Sequence, residues 1–280
     1  MSEDLEMLPE DCLSTILSLT SPADACRMAV VSSFFRSAAD SDVAWDRLLP
    51  LDYLDVIARS VAPLEYSSKK ELFHRLCSPL VIDGGRKRFQ LDKLSGKKTY
   101  GLSARELLIT HGNEQGCWSW EAVPESRFSE VAVLKTVTRL EIEGRIPTRT
   151  LSPNTKYGAY LVLKISETAF GLDAIPSEIS ITVGKIESNN TAILRCPGEE
   201  KKKRMESLIY SNRLQMLRQR VNPGDYREPN RRDDGWMEVE IGKLFTGEDE
   251  GEVKMRLVEI KGNHLKGGLV VEGIEIRPEH

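Results

Sequence analysis

The spacing of apolar residues changes once along this chain, and that change divides it. As far as residue 82 apolar side chains recur every three or four positions, the period of a helix. Asp83-Gly84-Gly85 breaks that pattern, and beyond it apolar and polar residues alternate, the period of a strand. The expected class is therefore α+β, a helical segment followed by a sheet segment. We expect three parts: an all-helical module over 1–50, a helical bracing segment over 51–85, and a β domain over 86–280.

The first part is legible residue by residue. Leu8, Cys12, Leu13, Ile16 and Leu17 recur at helical spacing and make one apolar face. Ser21 caps a second helix, Pro22 suits its first position, where no N–H is needed, and Asp24 can meet the positive helix end. Ser32-Ser33 and Ser41-Asp42 restart helices in the same way, the last carrying Trp45, Leu48 and Leu49 on one side. Domains below ~40 residues usually need a staple or a partner, because they bury too little of their surface. The staple expected here is protein. Residues 1–50 hold nine acidic and three basic side chains, which argues against nucleic-acid binding by this end.

The order Leu8-Pro9, a helix ending in Ile16-Leu17, Ser21-Pro22-x-Asp24, Val31-Ser32 and Asp40-Ser41-x-x-x-Trp45-x-x-Leu48-Leu49 resembles the F-box. That family docks onto the Skp-type adaptor of cullin ubiquitin ligases. The chain departs from its pattern at Phe34-Phe35, where a basic residue followed by Trp is usual, and at Ala25, where Leu is common. The resemblance implies adaptor contacts at Leu8, Pro9, Leu13, Ile16, Leu17, Pro22, Asp24, Val31, Trp45 and Leu48.

Composition sets the outer bounds. Of the 280 residues, 40% are hydrophobic and 29% charged, a balance typical of soluble globular protein, and no apolar run is long enough to span a bilayer. The start Met1-Ser2-Glu3-Asp4 lacks the basic and apolar regions of a secretion signal, so the expected location is cytoplasm, nucleus or both. Cys12, Cys26, Cys77, Cys117 and Cys196 are scattered and odd in number, and the four histidines are equally dispersed. Neither a disulfide framework nor a metal site is expected, and no cofactor.

Between the two main parts, Leu54, Ile57, Ala58 and Val61 make one helical stripe, and Ser67-Ser68 opens another helix carrying Leu72, Phe73 and Leu76. Beyond residue 100 come alternating runs at 139–146, 159–165, 178–183, 236–241, 253–260 and 269–276. Many short strands joined by Gly, Pro and Asn turns, with few helical periods between them, predict an antiparallel β-sandwich rather than βαβ units.

Gly96-Lys97-Lys98-Thr99-Tyr100, Leu102-Ser103-Ala104-Arg105 and the run from Pro124 to Ala132 resemble the phloem protein two family, whose lectin-like members are called Nictaba-like. Trp118-Ser119-Trp120, the run 140–146 and Gly235-Trp236 to Gly242 extend the resemblance over about 86–278. It implies a jelly-roll-like sandwich that, in the lectin members, binds N-acetylglucosamine-containing glycans through two tryptophans seven residues apart. Trp118 matches the second; the first falls on His111. An imidazole offers a smaller, more polar face to a pyranose than an indole does. The resemblance makes His111, Trp118, Glu125 and Arg127 the candidate glycan or target contacts, whereas Trp120 and Trp236 fit a sandwich core at period two.

Residues 201–234 carry ten basic and five acidic side chains in a chain of net charge -4. This stretch, which starts with the run from Lys201 to Arg204, admits three readings: a nuclear import tag, a surface for an anionic partner, or a solvated helix-and-loop insertion between two strands of the sandwich. No Gly-rich phosphate loop, nucleophile elbow or metal-spaced His/Glu pair marks an enzyme. The expected function is a non-catalytic receptor, the F-box holding the adaptor and through it cullin, the sandwich holding a target protein, glycosylated or not. The alternative is a stand-alone glycan-binding module.

Overall fold

The computed structural model describes residues 8–196, 226–247 and 251–279. Most of the basic insertion, including Lys201 to Arg204, lies outside the described residues. The described residues form two compact units, one ending at Tyr100 and the other spanning Gly101–Glu279.

The first unit begins with α1 (Glu10–Leu17), α2 (Pro22–Met28), α3 (Ser33–Asp40) and α4 (Asp42–Leu48), followed by α5 (Tyr53–Ala58) and α6 (Lys69–Leu76). The expected serine caps are in place: the hydroxyls of Ser21, Ser32, Ser41 and Ser68 accept from the N–H groups of Asp24, Phe35, Val43 and Glu71. Leu72, Phe73 and Leu76 are buried, as their spacing predicts. The stripe expected on α5 is not: Val56 is its buried residue, while Leu54 and Val61 stand in water.

Asp83-Gly84-Gly85 ends no helix, since α6 has stopped at Leu76. It is the turn between strands β1 (Leu80–Ile82) and β2 (Lys87–Leu91), and Gly84 and Gly85 take φ of +63° and +89°, which glycine reaches without strain. These strands belong to the first unit, so the division falls after Tyr100 rather than at residue 85. A Cβ added at Gly96 would come 3.2 Å from Pro22 Cγ and 3.6 Å from the Phe73 ring, and the Lys98 ammonium sits 2.7 Å from the Asp52 carboxylate. The short F-box-like module is thus stapled by its own chain: α6 and the segment around Gly96 cover it.

Strand β3 (Lys98–Ser103) leads into the second unit, where β4 (Leu108–Ile109), β5 (Trp118–Glu121), β6 (Val131–Leu134), β7 (Leu140–Pro147), β8 (Thr155–Phe170), β9 (Ser177–Val183), β10 (Ile186–Ala192), β11 (Asn230–Arg231), β12 (Met237–Thr246), β13 (Glu252–Glu259) and β14 (Gly267–Pro278) form two antiparallel sheets. One sheet runs β5-β6-β14-β8-β12-β11, the other β10-β9-β13-β7-β4. Alternation puts Leu161 and Leu163 of β8, Ile179 and Ile181 of β9 and Met255 and Leu257 of β13 into the core between them. The sheets approach closely enough that a Cβ on Gly144 would lie 2.8 Å from Ile274 Cδ1. Each expected strand is present, several of them longer than the alternating run that announced them.

A buried pair anchors the β13–β14 connection. The Lys266 ammonium and Glu259 carboxylate, both almost wholly buried, are paired, and Lys266 also donates to the carbonyls of Thr138 and His264 at 2.5 and 3.3 Å.

Candidate functional sites

On the helical unit, the ten residues expected at an adaptor contact separate into two groups. Leu13 and Leu17 are each 2% exposed, Trp45 is fully buried, and Pro22 is buried beneath Gly96. Trp45 donates its indole N–H to the Ala39 carbonyl at 2.7 Å and packs 5.0 Å from the Phe73 ring centroid. These four make the module's own core and present nothing to a partner. Leu8 and Leu48 are half-buried; Pro9, Ile16, Asp24 and Val31 face water.

The apolar stripe on α1 is wider than the core it serves. Its Leu13 and Leu17 edge points inward, its Ile16 edge outward, with Ile16 45% exposed. Sequence reasoning missed Leu19, Val30 and Val43, which join Ile16 and Val31 as the large apolar side chains that, among the described residues, this module leaves in water. Leu19 and Val30 lie in turns just past helix ends, where helical period gives no signal. A cavity of about 340 Å3 opens between α1 and α4 beside Thr15, Val43 and Asp46. Its rim is fixed by Lys69, whose N–H donates to Asp42 at 2.8 Å and whose ammonium pairs with Asp46.

In the second unit, the Pro124 to Ala132 run folds over the outer face of the first sheet. Trp236 is fully buried there against Val131 and Val162, as expected of a core residue, and donates its N–H to the Glu125 carbonyl at 3.0 Å. Arg127 is clamped. Its backbone N–H and Nε donate to the buried Glu272 carboxylate at 2.7 and 2.9 Å, and its guanidinium also pairs with Glu275. Arg232 and Arg277 bind the same cluster through Glu238 and Glu275. Burial alone would raise the Glu275 carboxyl, but Arg232, Arg127 and Arg277 outweigh it and hold it at about 2. Arg127 is therefore a structural clasp rather than a ligand contact, and Glu125 contributes its carbonyl to the fold while its carboxylate lies 3.7 Å from Lys164.

The aromatic positions are also engaged internally. Trp118 is 2% exposed and donates to the Thr110 carbonyl at 3.2 Å, which removes it from the surface expected of a sugar platform. Trp120, expected in the core, is only partly buried; it donates to the Gly112 carbonyl at 3.0 Å, and the Arg105 guanidinium lies 3.7 Å over its ring. Both indoles thus hold the 110–112 turn. His111, at φ +60°, places its Nδ1 2.7 Å from the Glu114 carboxylate, and that hydrogen bond lowers the Glu114 carboxyl below its ordinary range. Next to this turn lies an open cleft of about 460 Å3, walled by Arg105, Leu108 and Trp120 and floored by Glu141, Glu143 and Arg145 of β7. Among the described residues no group of three or more His, Cys, Asp or Glu is gathered as for a metal ion.

Comparison with known proteins adds a second line of argument. The family model described as F-box domain matches residues 5–47, and that described as Phloem protein 2 matches residues 97–278. The chain is 49% identical over 280 residues to F-box protein VBF of Arabidopsis thaliana, covering 98% of this chain and 99% of that one. It is 50% identical over 280 residues to F-box protein PP2-B15 of the same plant, covering 98% and 96%. A solved CBM22-1 xylan-binding domain from Paenibacillus barcinonensis Xyn10C aligns with 63% of this chain and 87% of its own at 8% identity and a TM-score of 0.30, too low for the likeness to carry an argument.

Proposed function

Because the chain belongs to the F-box proteins that carry a phloem protein 2 domain, we propose that it is a substrate-recognition subunit of a Skp-cullin-F-box ubiquitin ligase. The observation that carries this reading is the outward apolar set Ile16, Leu19, Val30, Val31 and Val43 on a module whose core is already complete. A small module gains nothing in its own stability from such residues, whereas a partner that covers them gains their burial, about 25 cal/mol per Å2 of apolar surface. The adaptor links the chain to cullin, and the sandwich holds the target.

The chain makes and breaks no bonds in this scheme. It raises the effective concentration of the target at the ubiquitin-charged enzyme. We assign the sandwich to a protein surface rather than to an N-acetylglucosamine-type glycan, because Trp118 is buried, His111 is turned to Glu114, and Arg105 covers Trp120. Five cysteines without a disulfide suit a reducing compartment, and we place the protein in cytoplasm, nucleus or both.

Co-purification from plant extract tests the receptor reading. The intact chain should bring down a Skp-type adaptor and cullin, and Ile16→Asp with Val31→Asp should lose both while melting at the same temperature. Equal recovery of adaptor by the double variant would sink the proposal.

A further inference from the structure

The cleft of the second unit lies at an incomplete sheet edge. β7 is eight residues long, yet β4 covers only two of them, pairing Leu108 with Glu143 and Ile109 with Ile142. The chain before Leu107 turns away in a 310 segment, Ala104–Glu106, where β4 would otherwise continue. Thr110 N–H donates to the Glu141 carbonyl at 3.1 Å. Main-chain groups alternate direction along a strand, so those of Glu141, Glu143 and Arg145 all point toward the β4 side. Glu143 faces Leu108 there and Glu141 is met by Thr110, whereas among the described residues no strand residue is paired with Arg145 on that side.

The cleft is lined by two arginines and two glutamates, and the arginines are the more exposed. The side chains of Arg105 and Arg145 are 41% and 45% exposed, whereas Glu141 and Glu143 in the floor are 33% and 13% exposed and are both held by Arg256 of β13, Glu143 by Arg145 as well. The exposed partners of the rim arginines, Glu130 with Arg105 and Glu252 with Arg145, form surface pairs that contribute little and exchange readily. Leu108, 58% exposed, adds an apolar wall. With its indole under a guanidinium, Trp120 offers no open face on this side for a sugar ring.

We propose that this cleft takes an extended, acidic peptide segment of the target protein. The segment continues the line of β4 along β7, its main chain pairs with Arg145, and its acidic side chains meet Arg105 and Arg145. This is strand addition to a sheet edge, in which backbone bonds give affinity and alternate side chains give selectivity. The inference rests on reading the chain as a substrate receptor.

The test uses the intact chain and three acetylated, amidated heptapeptides in which Val alternates with Glu, Lys or Ser, alongside chitotriose. Amide NMR should show the Glu peptide shifting residues 105–113 and 143–147. The Ser peptide should bind about tenfold more weakly and the Lys peptide not at all, as for a charge-steered contact. N-methylation of the Glu peptide at alternate residues should abolish the shifts without touching the protein. Arg105→Glu with Arg145→Glu, checked by its melting temperature, should reverse the preference from Glu to Lys. No shift with the Glu peptide, equal binding of all three peptides, or chitotriose occupying the cleft instead would overturn the inference. If the peptide fails while adaptor and cullin still co-purify, only the cleft assignment falls; loss of the adaptor result removes the receptor reading itself.

Discussion

Trp45 and Val31 belong to the same short module and face opposite ways. The sequence motif names both, because a motif records which residue types recur and not which way each one points. Trp45, fully buried with its N–H bound to Ala39, is a core residue. Trp45→Ala should destabilise the first unit by about 3–5 kcal/mol, through the cavity and an unpaired carbonyl. A denaturant midpoint within error of the parent chain would contradict that placement. Any adaptor binding lost in this variant would reflect unfolding, which is why the exposed Ile16 and Val31 are the informative positions. The acid cluster makes a second residue-scale prediction. Glu275 is held at about 2 in the fold against an ordinary 4.5, so its contribution is complete above pH 4.5 and is lost as pH falls toward 2. That shift corresponds to about 3 kcal/mol. Melting temperature should fall across that window, less steeply in Arg232→Met, and a flat profile between pH 5 and 2.5 would count against the cluster.

At the scale of elements, local rules were legible and long-range ones were not. The serine caps, the Leu72-Phe73-Leu76 face and the alternating strands all follow from neighbours within a few residues, and the fold contains them. Arg127 was misread as a ligand contact because its partner Glu272 lies 145 residues away, beyond any periodic signal. Trp118 was misread for a related reason: alternation places an indole on a face but does not say what covers that face. The close approach of the sheets was equally invisible. Gly242 sits at a bulge in β12, and a Cβ there would meet Ile181 Cγ2 at 2.4 Å. Gly242→Ala should therefore cost about 1–3 kcal/mol, read as a lower denaturant midpoint, by overpacking between the sheets. An unchanged midpoint would mean that Ile181 moves aside freely.

For the whole molecule, the class was plain from the change of hydrophobic period, while the division between units was not. The Gly84-Gly85 turn looks like a boundary in sequence, yet β1, β2 and the Gly96 segment pack with the helices and complete their core. A fragment beginning at residue 86 would cut through the first unit, so variants of the intact chain are the better probes. The molecule joins a helical module with apolar residues facing out to a sandwich in which Trp118 and Trp236 are buried and Trp120 lies under Arg105. On the reading proposed above, the first unit takes the adaptor and the second a protein segment rather than a sugar. The most direct test is calorimetric titration of a purified Skp-type adaptor into the intact chain, the Val31→Asp variant, and Glu125→Ala as a control in the sandwich. Val31→Asp should weaken binding at least about tenfold, as for a desolvated apolar contact turned into a buried charge. Glu125→Ala should match the parent. Equal affinity in all three, or no binding by the parent chain, would contradict that reading.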